Sequence, residues 1–412
     1  MRDSIESIAT RSISILSKFF LIGFLIKELT LSDYGNFQLI SYFILFSTTI
    51  FGLEYYNISN RDIVSSSDKH GVYSFHFNFF LTTLSILIVV HAICFYTILP
   101  THLTNVLNFI LVFFIGIFDY ISQEIYRYLM INKKFRKANL QLIYKSFFFL
   151  IFVIGFRFLF HPLDFNNILL IMLLSYFLLL ILAILTFNKT LFSIKELKIE
   201  KLSFKKVKEV LYRLAPFLTL ILFVKGIEFS DKFILGKTLG SKDVGIYSFL
   251  YTMGSVINIF IVSGFYLIYL PELIAQYKTD KTKFNKIILK FSKLNIGFSF
   301  LLVFFIKITE NIVIELTGKT ELLEYTDLLT LILIGFVLFN LSLIPHIYLY
   351  VSKNEKSIMY TMGFALILNV LLTICFIKIF GIFGVAYSFI GTYIFILVSK
   401  SLIGYKKWKQ SI

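Results

Sequence analysis

The chain holds two cysteines, no glycine-rich loop of the phosphate-cradling kind and no soluble stretch long enough to fold as a separate globular domain. Each absence removes a class of function. Cys94 and Cys375 both lie inside apolar runs, where a packed side chain is expected, so neither a disulfide nor a metal site is expected. Without a phosphate loop an ATP-driven pump in this one chain has no support. Without metal-spaced His or Cys or a nucleophile motif, hydrolytic and redox chemistry have none either. No cofactor is implied. Met1–Ser7 carries charge and runs directly into an apolar segment with no small-residue cleavage site, so it reads as the start of a retained first helix.

What the chain does have is apolar sequence from end to end. Of its 412 residues 58% are hydrophobic, with a mean hydropathy of +0.83. About twelve runs are long enough to cross a bilayer core. The expected spans are Ser7–Ile26, Phe37–Leu53, Phe75–Leu99, Val106–Ile125, Gln141–Phe160, Ile168–Phe187, Pro216–Leu235, Val244–Leu267, Leu294–Ile308, Leu328–Tyr350, Ser357–Ile377 and Ile382–Leu402. The fold class is therefore an all-α polytopic membrane protein. Any chemistry belongs at a membrane surface or between helices, because charge and irregular backbone are costly against lipid.

The net charge of +16 invites a nucleic-acid reading, but its distribution favours lipid. Thirty of the forty Lys and Arg fall in alternate loops, among them Lys133, Lys134, Arg136 and Lys137, then Lys198, Lys201, Lys205 and Lys206. The opposite loops hold Lys27, Arg157, Lys232, Lys237, Lys242, Lys307, Lys319 and Lys378. This positive-inside bias predicts a multi-pass protein with both termini cytoplasmic. Basic loops beside anionic lipid account for the charge without nucleic acid.

The two halves repeat. Leu25, Lys27, Leu29, Asp33 and Gly35 match Leu235, Lys237, Leu239, Asp243 and Gly245 at one offset of 210 residues. An even number of spans in each half gives the copies the same orientation, so two parallel six-helix lobes with a central cavity are expected. The expected domains are residues 1–188, a basic amphipathic connector at 189–212 reading as a helix on the cytoplasmic leaflet, and residues 213–412. A second amphipathic segment runs from Gln276 to Leu294.

Motifs then point to a family. Leu31-Ser32-Asp33-Tyr34-Gly35 follows the first span, and Ser230-Asp231-Lys232-Phe233-Ile234-Leu235-Gly236 leads to Gly245-Ile246-Tyr247-Ser248. Gly381-Ile382-Phe383-Gly384-Val385-Ala386 stands near the end. In this order they resemble the O-antigen and polysaccharide flippases of the Wzx type, within the superfamily that also contains the MATE multidrug exporters. The resemblance implies a MATE-like fold that moves undecaprenyl-diphosphate-linked O-antigen or capsule units, components of lipopolysaccharide and related polymers, from the inner to the outer leaflet. It implies membrane lipid and other polysaccharide-assembly membrane proteins as partners, and no enzymatic step. The alternatives are a MATE-type antiporter of cationic drugs and a membrane enzyme of polysaccharide assembly.

Charge inside spans marks candidate sites. Ser7, Arg11, Ser14 and Lys18 make one polar stripe on the first helix. Asp119, Gln123 and Arg127 make another on the fourth, beside Glu124. The seventh span carries Lys225 and Glu228, spaced to pair, then Asp231 and Lys232. Lys18, Lys225, Arg11 and Arg127 are the candidate ligands of a diphosphate; Glu228, Asp119, Glu124 and Asp231 are candidates for coupling or charge balance. His91 and His346 read as hydrogen-bonded packing residues, and Asn258, Asn340 and Asn369 as bonds between helices.

Overall fold

A computed structural model describes the backbone of residues 2–160, 162–192 and 194–410, and the side chains of 10, 13–160, 162–192, 195–407 and 409. The first half holds α1 (Arg2–Glu28), α2 (Leu31–Gly52), α3 (Tyr56–Ser65), α4 (Lys69–Ile98), α5 (Val106–Ile131), α6 (Phe135–Leu159) and α7 (Phe165–Thr190). The second holds α8 (Phe204–Thr238), α9 (Ser241–Ile261), a π turn at Val262–Tyr266, α10 (Leu267–Thr279), α11 (Lys281–Thr317), α12 (Thr326–Val351), α13 (Glu355–Phe380) and α14 (Phe383–Gln410). No strand occurs among the described residues. In lipid the backbone must satisfy its own hydrogen bonds, and helices do so within each span.

Among the described residues ten helical segments are long and apolar enough to cross a membrane, or eleven if α2 and α3, bent by 50° at their junction, form one broken span. Each of the twelve expected spans falls on a helix. The expected span not among those eleven is the first, on α1, part of which lies outside the described side chains. Short polar residues start the spans at the membrane edge by supplying an acceptor that a lipid-facing helix end lacks. Thr30 Oγ1 accepts from Asp33 N at 3.0 Å, Asn105 Oδ1 from Asn108 N at 2.8 Å, and Asp164 Oδ1 from Asn167 N at 2.8 Å. Asp68 and Asp280 cap α4 and α11 in the same way. The turn into α14 needs both glycines of its motif: Gly381 has φ 58°, and a Cβ on Gly384 would sit 2.3 Å from the Phe376 carbonyl.

The chain divides into two compact units, Met1–Ile221 and Leu222–Ile412, with the division inside α8. Their internal order repeats helix for helix. α1 ends and α2 begins at Glu28 and Leu31; α8 ends and α9 begins at Thr238 and Ser241, at the offset that aligns the sequences. The α2–α3 break, with Leu53 and Glu54 at φ 45° and 59°, has its counterpart in the π turn between α9 and α10. The α5–α6 and α12–α13 turns share one geometry: Lys133 and Lys353 both have φ 58°, and the next residue donates to the carbonyl of Leu129 or Leu349 at 2.8 and 2.9 Å.

The connector departs from expectation. Instead of one amphipathic helix, residues 197–203 are non-helical, and Phe204 opens α8, which runs unbroken through Pro216 into the seventh span. Ser74, Asn78 and Thr82, one helical face of α4, hold this strap. Asn78 Nδ2 donates to Lys198 O at 2.8 Å, Asn78 Oδ1 accepts from Glu200 N at 3.0 Å, and Ser74 and Thr82 accept from Lys198 N and Leu202 N at 3.3 and 3.4 Å. Leu202, Val207, Val210 and Leu214 then bury against Tyr55, Ile58 and Phe79.

Candidate functional site: a cationic cavity in the first unit

α1, α5, α6 and α7 pack together in the first unit, α1 on α6 and both α5 and α6 on α7. They leave a cavity of about 290 Å³ lined by Ser14 and Lys18 from α1, Asp119, Ser122, Gln123, Tyr126 and Arg127 from α5, Gln141, Leu142 and Lys145 from α6, and Leu179 from α7. The polar stripes of the first and fourth spans therefore meet at one place. Arg11 lies outside the residues whose side chains are described.

Asp119 is fully buried and satisfied on both oxygens: Lys145 Nζ pairs with Oδ1, and Gln123 Nε2 donates to Oδ2 at 3.0 Å. Such pairing is what allows a carboxylate to persist away from bulk water. The ammonium of Lys145 also lies 5.4 Å from the Tyr176 ring centre. Arg127, on the same wall, pairs with Glu124 and lies 3.8 Å from the ring centre of Tyr56. Lys18 is exposed to the cavity and forms no ion pair among the described residues. The walls thus carry Lys18, Lys145 and Arg127 against Asp119, with Glu124 compensating Arg127. The remainder is one cation.

Behind Arg127 lies a second, smaller cavity of about 110 Å³ in the same unit, walled by Tyr73, Phe77, Phe80, Tyr120, Tyr128 and Phe187 with His76 and Glu124. His76 is 3% exposed; Tyr128 OH meets its Nδ1, and Tyr120 OH lies 3.3 Å from its Nε2. Sequence reasoning passed over His76, Lys145 and the two tyrosines. Lys145 follows Gln141 by one helical turn within a predicted span, and that spacing was the available signal. The two histidines singled out earlier behave differently. His91 is packed, stacked on Phe51 with 5.1 Å between ring centres, but neither of its nitrogens has a hydrogen-bond partner. His346 Nδ1 lies 3.3 Å from the Nζ of Lys400, a lysine that is buried in α14 and not in a basic loop.

In the second unit Lys225 and Glu228 pair at 2.7 Å, both partly exposed. Asp231 and Lys232 are each 1% exposed and 3.1 Å apart. The Lys232 ammonium also donates to Glu228 O at 2.7 Å and lies 3.9 Å from the ring centre of Tyr251, while Tyr247 OH donates to Asp231 at 3.3 Å. The two stretches of the seventh-span motif are thus bonded to one another, tying α8 to α9. Asn369 bridges Ser230 and Thr392 at 2.9 and 3.1 Å. Asn340 departs from the expected pattern: its side chain has no hydrogen-bond partner among the described residues, and its backbone carbonyl accepts from Asn295 at 2.7 Å. Among the described residues no group of three or more His, Cys, Asp or Glu is placed to hold a metal, and both cysteines are free, Cys375 on the exposed surface of α13.

Comparison with known proteins agrees with this architecture. No curated protein sequence matches the chain. Among solved structures it is similar to the lipid II flippase MurJ in an inward closed conformation, at TM-score 0.74 and 14% identity over 97% of this chain and 86% of that one. It is also similar to an inward-facing multidrug resistance MATE family transporter of the MOP superfamily, at TM-score 0.68 and 14% identity over 97% and 98%. A MOP superfamily transporter from Pyrococcus furiosus, described as having a binding pocket of reversed polarity, gives TM-score 0.60 and 13% identity over 100% and 94%. These likenesses establish the fold. The profile of the polysaccharide biosynthesis protein family matches residues 8–273, and the chain, a multi-pass helical membrane protein with the fold of the MOP superfamily, belongs to that family.

Proposed function

We propose that the protein is a flippase that carries undecaprenyl-diphosphate-linked O-antigen or capsule repeat units from the cytoplasmic to the outer leaflet of a bacterial inner membrane by alternating access. No covalent bond changes in the process. Support comes from the family, from the MurJ-like fold, and above all from the cavity whose cations outnumber its acids. A diphosphate presents several acceptor oxygens, and each charge-assisted bond from Lys or Arg contributes about 1.5–3 kcal/mol. Lys18 is the first contact in this reading, since no carboxylate holds it among the described residues. Lys145 and Arg127 exchange Asp119 and Glu124 for phosphate, and Arg11 and Lys225 are the further candidate cations of this reading. Asp119, Glu124 and Glu228 balance Lys145, Arg127 and Lys225 when no substrate is bound, as Asp231 balances Lys232. The apolar polyprenyl tail remains in lipid. A carrier of cationic drugs would require the opposite sign of cavity, which Lys18 and Lys145 oppose.

The test is surface polysaccharide in cells whose own copy is deleted. The Lys18→Ala, Lys225→Ala double variant, present in the membrane at normal abundance, is expected to export none, whereas Arg at both positions retains part of the export. Normal export by the Ala variant would overturn the cationic-cavity reading.

A further inference from the structure

One ion pair joins the two cavities of the first unit. Arg127 lines the larger, and its partner Glu124 lines the smaller. Glu124 is 6% exposed; Oε1 holds the guanidinium, while Oε2 has no hydrogen-bond partner among the described residues and lies 4.0 Å from His76 Nδ1. An unsatisfied carboxylate oxygen in a buried site is costly, and a proton on it removes the charge. The imidazole of His76 lies beside it, with a tyrosine hydroxyl on each ring nitrogen. A neutral His76 has one N–H for its two tyrosine partners, so one hydroxyl donates and the other accepts; the imidazolium donates to both.

The groups facing this pair are few. α5 supplies Arg127, Tyr120 and Tyr128, α4 supplies Tyr73, and the α2–α3 junction supplies Glu54 and Tyr55, with Tyr56 on α3. Asp62 and Arg213 act on Tyr55. α7 contributes apolar Phe187, and the strap contributes Leu197. Arg127 is thus the cation on which the charge of Glu124 depends, and it is also a wall of the anion cavity.

We propose that Glu124 and His76 form a proton-binding site whose occupancy is linked, through Arg127, to anion binding in the larger cavity. The linkage rests on reading that cavity as a diphosphate site. When a phosphate oxygen takes the guanidinium, the Glu124 carboxylate loses its counter-ion and binds a proton from water, forming one O–H bond. Loss of the anion returns Arg127 to Glu124 and releases the proton. Linkage runs both ways, so a protonated Glu124 frees Arg127 and tightens anion binding.

Calorimetric titration of the purified full-length protein with inorganic pyrophosphate, in two buffers of different ionisation enthalpy, measures the protons exchanged. Uptake of up to about one proton is expected, with affinity rising as pH falls by at most about tenfold per pH unit. Glu124→Gln should bind pyrophosphate with no uptake and little pH dependence. An infrared difference spectrum of the unmodified protein needs no variant: pyrophosphate should bring in the C=O stretch of a protonated carboxylic acid. Binding without proton uptake, or uptake that persists in Glu124→Gln, overturns the linkage and leaves the larger cavity as an anion site. No binding by the unmodified protein overturns both readings.

Discussion

Lys145 on α6 is ion-paired with Asp119 on α5, and the carboxylate is fully buried while a quarter of the lysine side chain remains exposed. The pair fixes two helices and at the same time presents a cation to the cavity. Removing one partner strands the other. Lys145→Ala is therefore expected to lower stability by about 3–5 kcal/mol, whereas the Asp119→Leu, Lys145→Met double variant should fold close to normally and lose transport. Thermal unfolding in detergent checks the order, and a Lys145→Ala protein as stable as the unmodified one would refute the pairing.

The strap on α4 makes a second prediction. Asn78→Leu removes two bonds to the backbone of residues 198 and 200 and leaves those groups without partners, at about 1–3 kcal/mol. Limited proteolysis should then cut residues 197–203 faster than in the unmodified protein, with the rest of the chain intact. Equal cutting rates would mean that the polar face of α4 does not hold the strap.

Gly384→Ala should abolish accumulation of folded protein, because its methyl group would meet the Phe376 carbonyl, which is backbone and has no rotamer to escape into. Gly155→Ala, with nothing within 4 Å, is the control and should accumulate normally. Detergent-extracted, size-fractionated protein gives the comparison.

Leaflet assignment follows from the basic loops. A single cysteine at Ser203, in a chain lacking Cys94 and Cys375, should resist a membrane-impermeant thiol reagent in intact cells, and one at Thr320 should react. Both positions are exposed, so accessibility reads out the side of the membrane and not burial. The opposite pattern would invert every leaflet assignment.

The sequence shows the spans because lipid imposes a strong local condition on each, and it shows the repeat because the same turn must be built twice. The Asp33/Asp243 and Gly35/Gly245 matches mark the start of α2 and α9, and the shared turns at Lys133 and Lys353 extend the correspondence where residue identity has gone. The stripes holding Lys18 and Asp119 were legible from helical spacing. Lys145 is not, because it closely follows Lys133, Lys134, Arg136 and Lys137 and reads as a continuation of that basic segment. His76 was hidden for another reason: its partners Tyr120 and Tyr128 are more than forty residues away, and periodicity along one helix carries no record of a neighbour. The connector failed as a helix because Ser74, Asn78 and Thr82 offer its backbone partners that local propensity does not include. The cations of the sparsely basic loops follow the same logic. Arg157, Lys232, Lys242 and Lys307 are each paired with an acid, so these departures from the basic-loop pattern carry little free charge.

The central claim is that Lys18 and its neighbours carry a lipid-linked diphosphate across the membrane. Vesicles containing the purified protein and a fluorescent undecaprenyl-diphosphate-linked saccharide test it directly, with leaflet position read by a quencher that does not cross the bilayer. The account predicts protein-dependent movement of the saccharide lipid that falls at least about tenfold in Lys18→Gln, the loss of roughly one charge-assisted bond. Movement at the unmodified rate by Lys18→Gln, or none above protein-free vesicles by the unmodified protein, would contradict it.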